Sequence, residues 1–144
     1  MADRIALMDH GAIVQLGTPE ELYSQPVNQF CARFLGSTLT IEGHHDGQRI
    51  QTAAGVFAAD PRYPIGEVKV LMRPESLSVQ AGDGRYRVLH RHFVGAYTLV
   101  DLVDSQETLP DLQVHVPTEQ SLALSEGQSV KLISLAERAL LVVP

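Results

Sequence analysis

The sequence predicts a mainly β protein, a small barrel or sandwich of short strands preceded by a β-hairpin and two short helices. Three observations carry this. Helical periodicity is confined to the residues before Gly36. From Thr38 onward short strand-like runs alternate with turn residues at intervals of about 8 to 12 residues. A chain of 144 residues with 44% hydrophobic content and a mean hydropathy of +0.01 has the composition of a globular protein with one core, or one domain plus a piece of another.

The first elements are locally marked. Ile5 to Met8 and Ala12 to Leu16 are apolar-rich runs separated by Asp9-His10-Gly11, a three-residue hairpin connection in which Gly11 takes the left-handed conformation. Gly17 ends the hairpin, and Thr18-Pro19-Glu20-Glu21 starts a helix. Thr18 caps a free backbone N–H, Pro19 fits the first helical position, and Glu21 completes a capping box. Pro26 breaks that turn and opens a second helix, where Val27, Phe30 and Phe34 recur at i, i+3 and i+7 beside Cys31 and Leu35. That face must be covered by something. Gly36 stops the helix.

After Thr38 the predicted strands are Leu39 to Glu42, Arg49 to Thr52, Glu67 to Met72, Leu77 to Gln80, Tyr86 to His92, Ala96 to Val103, Gln113 to Val116, Val130 to Leu135 and Ala139 to Val143. Gly82-Asp83-Gly84, Pro110-Asp111 and Glu126-Gly127 punctuate them as turns. Pro74 ends a strand by removing a donor and extending the residue before it, so that Arg73 and Glu75 pair locally or bracket a loop.

Composition excludes several functions. No apolar run approaches the roughly 18 residues of a membrane span, and no charged start with a long apolar stretch marks a secretory signal, so a cytoplasmic setting is expected. The single Cys31 cannot form an internal disulfide. Seventeen acids against nine Arg and two Lys give a net charge of −6, and Trp is absent, which argues against nucleic acid as a partner. The phosphate-cradling pattern G-x-x-x-x-G-K-[ST] occurs nowhere, and Lys69 and Lys131 each sit in an apolar strand. Cys31 has no base at helical spacing and reads as a core residue. No catalytic, cofactor-binding or metal-binding residue is assigned.

Two clusters in the second half invite a chemical reading. His90 and His92 face the same way in a strand and could converge on a cation, with His44-His45 as distant company. Against this, Arg85, Arg87 and Arg91 are expected on the opposite face together with Leu89, where a cationic stripe opposes a metal ion. A solvated strand or partner surface is the stronger reading. The same arginines could face an oxyanion or pair with this chain's acids across a dimer interface, and ion pairing is favoured.

The stretch ADRI, the following M-x-x-G-x-I-x-Q-x-G-T-P-x-E-L-Y and the closing P-x-x-x-F-x-A-x-F-L-G closely resemble the last segment of the nucleotide-binding domain in ATP-binding-cassette importers of the maltose, polyamine and ferric-iron type. Further on, Val70-Leu71-Met72-Arg73-Pro74-Glu75, Phe93-Val94-Gly95 at a turn and Ser125 to Val130 resemble the transport-associated OB-fold domain, TOBE, that follows it. Residues 38–65 are hardly covered. The resemblance implies residues 1–36 as the end of an ATPase domain and residues 37–144 as an OB-like regulatory domain of TOBE type. The Walker and signature motifs, the switch histidine, ATP and Mg²⁺ would then belong to an intact parent, and the sequence is expected to lack ATPase activity.

Regulation and dimerisation within an ABC importer are the implied function, with a homodimer and membrane-spanning permease subunits as partners at the inner membrane. Arg73, Glu75, Arg85, Arg87 and Arg91 are the candidate regulatory or interface residues, and Val27, Phe30 and Phe34 the candidate packing surface for a second copy or for the ATPase core. The short regulatory region leans toward ferric-iron or polyamine systems. The alternative is a barrel that itself senses an oxyanion or a metal.

Overall fold

The computed structural model describes residues 3–59 and 61–144. Ala2, which opens the ADRI stretch, lies outside the described residues. The chain is mainly β and OB-like, with eleven strands among the described residues: β1 (Ile5–Asp9), β2 (Ala12–Gly17), β3 (Leu39–His45), β4 (Arg49–Thr52), β5 (Gly55–Ala58), β6 (Gly66–Met72), β7 (Leu77–Phe93), β8 (Tyr97–Asp104), β9 (Leu112–Pro117), β10 (Ser129–Ser134) and β11 (Leu141–Val143). The helices are short: α1 (Pro19–Ser24), α2 (Gln29–Phe34) and α3 (Thr118–Ser121), with a 3₁₀ turn at Pro74–Ser76.

The hairpin forms as expected but its turn is tighter. Asp9 pairs with Ala12, leaving a two-residue loop in which His10 and Gly11 have φ of 48° and 80°. Two successive left-handed residues match the right-handed twist of the strands better than a three-residue loop does. The capping box on α1 is present in both directions: Glu21 N donates to Thr18 Oγ1 at 3.2 Å and Thr18 N donates to Glu21 Oε2 at 2.9 Å. Helix α2 starts later than Pro26. Asn28 is its cap and accepts from Cys31 N at 2.9 Å, because an amide oxygen satisfies a free helix N–H whereas Pro26 has nothing to offer. This phase buries Cys31 and Ala32 with Leu7 and Leu22, and leaves Val27, Phe30 and Phe34 on the outside at 56, 36 and 65% exposure.

Two antiparallel sheets make the barrel. One has the order β10-β7-β8-β9 and the other β11-β6-β3-β4-β5. Both contribute to a single core, Phe57, Ile41 and Val70 from one and Leu77, Leu102 and Val114 from the other. Fully burying each such side chain stabilises the fold by about 1.5 to 3 kcal/mol. The sheets also touch at the end of β10, where Ser134 N donates to Ala54 O between β4 and β5 at 3.1 Å, while Leu135 N donates to Ser76 O at 2.8 Å and extends the β10–β7 ladder.

Three departures from the expected elements have local causes. Strand β5 is short, yet Phe57 is 1% exposed and anchors it in the core. Helix α3 is one turn after Pro117. The two strands expected at Leu77 to Gln80 and Tyr86 to His92 are one 17-residue strand that bends instead of breaking. At the bend Gly82 has φ of 147°, and the pairing with β10 jumps from Ser129 opposite Arg87 to Val130 opposite Ala81. A Cβ on Gly84 would stand 2.0 Å from Val130 O. Glycine here allows close approach of two backbones within a continuous strand, so Gly-Asp-Gly is a kink rather than a turn.

Candidate functional site

Arg73 follows the last residue of β6, in the extended conformation that Pro74 imposes on its predecessor (φ −78°, ψ 143°). Its side chain turns away from the barrel toward the two N-terminal helices and is 4% exposed. Nη1 donates to Ala32 O at 2.7 Å, Gly36 O at 3.1 Å and Ser37 O at 3.1 Å, and Nη2 donates to Tyr23 O at 2.9 Å. These carbonyls belong to the ends of α1 and α2, where backbone acceptors lack helical partners. The guanidinium also lies 4.0 Å from the centroid of the Tyr23 ring. Burial pulls the guanidinium's pKa down, against the opposing influence of Tyr23 and Glu75; an arginine in this position keeps its charge.

Glu75 acts on the same tyrosine from the other side, accepting a hydrogen bond from the Tyr23 hydroxyl. Burial and this bond together raise the phenol's pKa. Arg73 and Glu75 therefore meet through Tyr23 rather than pairing directly. Gly36 completes the packing: a Cβ there would lie 3.1 Å from Tyr23 Cε2 and 3.4 Å from Arg73 Nη1. A groove of about 1450 Å³ runs beside this cluster, with Tyr23, Arg73 and Glu75 in its wall together with the loop after α1 and strand β11. Gln15 holds that loop, donating to Gln25 O at 2.9 Å and accepting from Val27 N at 3.1 Å.

The remaining arginines are dispersed. Arg85 pairs in two-pronged fashion with Asp104, Nε to Oδ1 at 2.9 Å and Nη2 to Oδ2 at 3.1 Å. Asp104 also accepts from the backbone of Gln106, Thr108 and Leu109, and from the Thr108 hydroxyl. Arg85 and then these N–H groups, against the effect of burial, hold its carboxyl well below the usual carboxylate range. Arg87 is exposed opposite Val103. A bulge at Leu89 separates the stripe: Val88 pairs with Leu102 and His90 with Asp101, so Arg91 comes to face the same way as buried Val100. One extra residue in a strand reverses the faces that follow it. Arg91 donates to Ser121 O at 2.6 Å. The expectation of Arg85, Arg87 and Arg91 on one face, opposite the histidines, is thereby corrected.

His90 and His92 do share a face, with ring centroids 6.1 Å apart, but each has its own acid. His92 Nε2 lies 2.7 Å from Asp101 Oδ2, and His90 Nδ1 lies 3.7 Å from Glu126 Oε1. Burial acts to raise the Asp101 pKa, but Gln113 and His92 bring it below the ordinary value. Among the described residues no group of three or more His, Cys, Asp or Glu is placed to hold a metal ion. Burial raises the Cys31 thiol's pKa, the opposite of what an activated nucleophile needs. No helix among the described residues is long and apolar enough to cross a membrane.

Sequence reasoning singled out Arg73 and Glu75 but not Tyr23, Gln15 or Asp104. Tyr23 stands in the E-L-Y stretch of the first motif, so a signal existed. Asp104 carried none, since three of its four partner residues reach it only when the loop after β8 folds back and the fourth, Arg85, lies on the neighbouring strand.

No protein-family model matches the chain. It is similar along 96% of its length to the sulfate/thiosulfate import ATP-binding protein CysA 1 of Chromobacterium violaceum, at 32% identity over 145 residues. Along 91% of its length it is 29% identical to the Fe(3+) ions import ATP-binding protein FbpC of Serratia marcescens, and over 89 residues 40% identical to the spermidine/putrescine import ATP-binding protein PotA of Aliivibrio fischeri. The chain spans 40, 38 and 24% of the length of these three relatives. Among solved structures, the cytoplasmic molybdate-binding protein ModG, with molybdate bound, superposes with a TM-score of 0.57 at 13% identity, covering 74% of this chain and 96% of that one. That likeness establishes an OB-type fold.

Proposed function

Because the chain is related along nearly its whole length to ATP-binding subunits of ABC importers, we propose that it is the C-terminal regulatory and dimerisation region of such a subunit. Residues 1–36 are then the end of the nucleotide-binding domain and residues 37–144 the TOBE-type barrel. The observation that carries the reading is the Arg73 cluster. The most specific motif of the second half, Arg73-Pro74-Glu75, binds the helix ends supplied by the most specific motif of the first.

ATP and Mg²⁺ belong to parts of the parent outside this sequence, whose 144 residues contain no phosphate-cradling loop. Val27, Phe30 and Phe34 pack on the rest of the nucleotide-binding domain or on a second copy, which accounts for three large apolar side chains being left outside. Permease subunits are the membrane partners, and the protein works at the cytoplasmic face of the inner membrane. The barrel favours one arrangement of the ATPase dimer, and a ligand or partner regulates transport only by preferring one arrangement over another. The weak lean toward ferric iron or polyamines is not sharpened by the relatives, which include a sulfate importer subunit.

A second reading, an oxyanion-sensing barrel, is favoured by the fold of the molybdate-bound neighbour. It is opposed by the arginines, two of which already have partners in Asp104 and the Ser121 carbonyl. Calorimetric titration with molybdate, sulfate, phosphate, Fe³⁺ and MgATP separates the readings. The regulatory reading predicts binding of none of them at micromolar concentration. Micromolar binding of an oxyanion or iron would favour the sensor, and MgATP binding would overturn the placing of nucleotide chemistry elsewhere.

A further inference from the structure

We propose that Arg73, Tyr23 and Glu75 form a latch between the N-terminal helices and the barrel, with Arg73 as a fixed pivot and the Tyr23–Glu75 bond as a releasable catch. The described residues form two separate hydrophobic clusters. One is the barrel core, and the other is Leu7, Leu22 and Cys31 with Ile5, Val14 and Leu35 around them. Between the cap of α2 at Leu35 and the start of β3 at Leu39 only Gly36, Ser37 and Thr38 intervene. A short covalent connection with distinct cores on either side is the arrangement in which one part opens as a unit while the other stays folded.

The latch joins the two cores by polar contacts of unequal accessibility. Arg73 is 4% exposed and reaches both helix ends with four hydrogen bonds. Withdrawing it would strand four carbonyls and a buried charge, so this contact is costly to break. The bond from the Tyr23 hydroxyl to Glu75 is exposed and opens onto the groove. Water can replace either partner there, so breaking it costs far less. With the catch open, the Tyr23 ring keeps the guanidinium 4.0 Å from its centroid, the close approach of Gly36 and its own backbone carbonyl's bond to Arg73. The helices then gain freedom about Arg73 without disturbing the barrel. Such a latch is a property of these residues whatever the parent complex imports.

Amide hydrogen exchange on the whole chain tests this. Leu22, Gln25 and Ala32 donate within the helical unit and report on it; Val70, Val100 and Leu102 report on the barrel core. Tyr23→Phe keeps the ring over Arg73 and removes only the hydroxyl, and Glu75→Ala removes the acceptor. Each is expected to speed exchange at Leu22, Gln25 and Ala32 by about three- to tenfold, with barrel amides unchanged. The double variant should match the singles, because both remove one bond. Arg73→Lys, which cannot span four carbonyls, should speed the helical amides more than tenfold; if it does not fold, the Tyr23 and Glu75 variants decide the matter alone. Unchanged exchange in both, equal acceleration of helical and barrel amides, or additive effects in the double variant would overturn the latch.

Discussion

Replacing Gly84 by Ala probes the feature that most distinguishes this barrel from its expected form. A Cβ at position 84 would meet Val130 O at 2.0 Å, Val130 C at 2.5 Å and Lys131 N at 2.8 Å. All three are backbone atoms, held in the β7–β10 ladder, and none can swing aside as a side-chain tip would. Relieving the clash requires separation of the strands by about 1 Å or more at the point where their register jumps, which breaks pairing and opens the core beside Val130 and Leu132. Overpacking without backbone movement costs about 1 to 3 kcal/mol, and loss of pairing adds to it, so about 3 kcal/mol or more is expected. For a chain of this size each kcal/mol shifts the melting temperature by about 2 to 4 °C, giving a fall of about 6 to 12 °C. Thermal melts followed by circular dichroism measure it. Gly11→Ala is the control: its φ is 80° but nothing lies within 4 Å of the added methyl, so it should cost only about 1 kcal/mol from the backbone. A Gly84→Ala protein melting within about 2 °C of the parent would refute the close approach and with it the kinked continuous strand.

Two further outcomes follow from local geometry. Thr18→Ala removes one acceptor of the capping box and should destabilise the chain by about 1 kcal/mol in urea unfolding, with Thr18→Ser nearly neutral; equal stability of the Ala and parent proteins would show the cap to be idle. Asp104 has a folded pKa below the usual carboxylate value, so its contribution to stability is present above about pH 4 and is lost as pH falls through the folded value. Asp104→Asn should therefore lower the melting temperature at pH 7 and flatten its decline between about pH 5 and pH 2, whereas melting curves that stay parallel across that range would contradict the assignment.

Local chemistry was what the sequence made legible. The capping box at Thr18 and Glu21 needs four consecutive residues and was readable from them. So was the left-handed Gly11, although the neighbouring His10 also takes that conformation and shortens the loop. Faces of strands were legible only until a bulge intervened. Leu89 adds one residue to β7, and from that point the alternation that placed Arg91 with Arg85 and Arg87 is reversed. Nothing in an apolar-polar pattern announces one unpaired residue.

At α2 the reading of Cys31 as a core residue holds, and the larger apolar side chains face outward. Phe30 and Phe34 have the strongest apolar signal, yet Asn28 fixes the start of the helix and the smaller Cys31 and Ala32 are buried. Those phenylalanines lie against each other on the surface, 5.8 Å between ring centroids. Long-range partners were the least legible. The pairing of Arg73 with carbonyls of Tyr23 and Ala32 spans 50 and 41 residues, and only the coincidence of two motifs hinted that they would meet.

The central claim is that this region brings copies together without a ligand, and sedimentation equilibrium of the chain tests it most directly. A ligand-free species of twice the 15.7 kDa chain mass, unchanged by molybdate, sulfate, phosphate or Fe³⁺, is the predicted result. A monomer under all conditions, or a dimer that appears only when an oxyanion or iron is added, would contradict it.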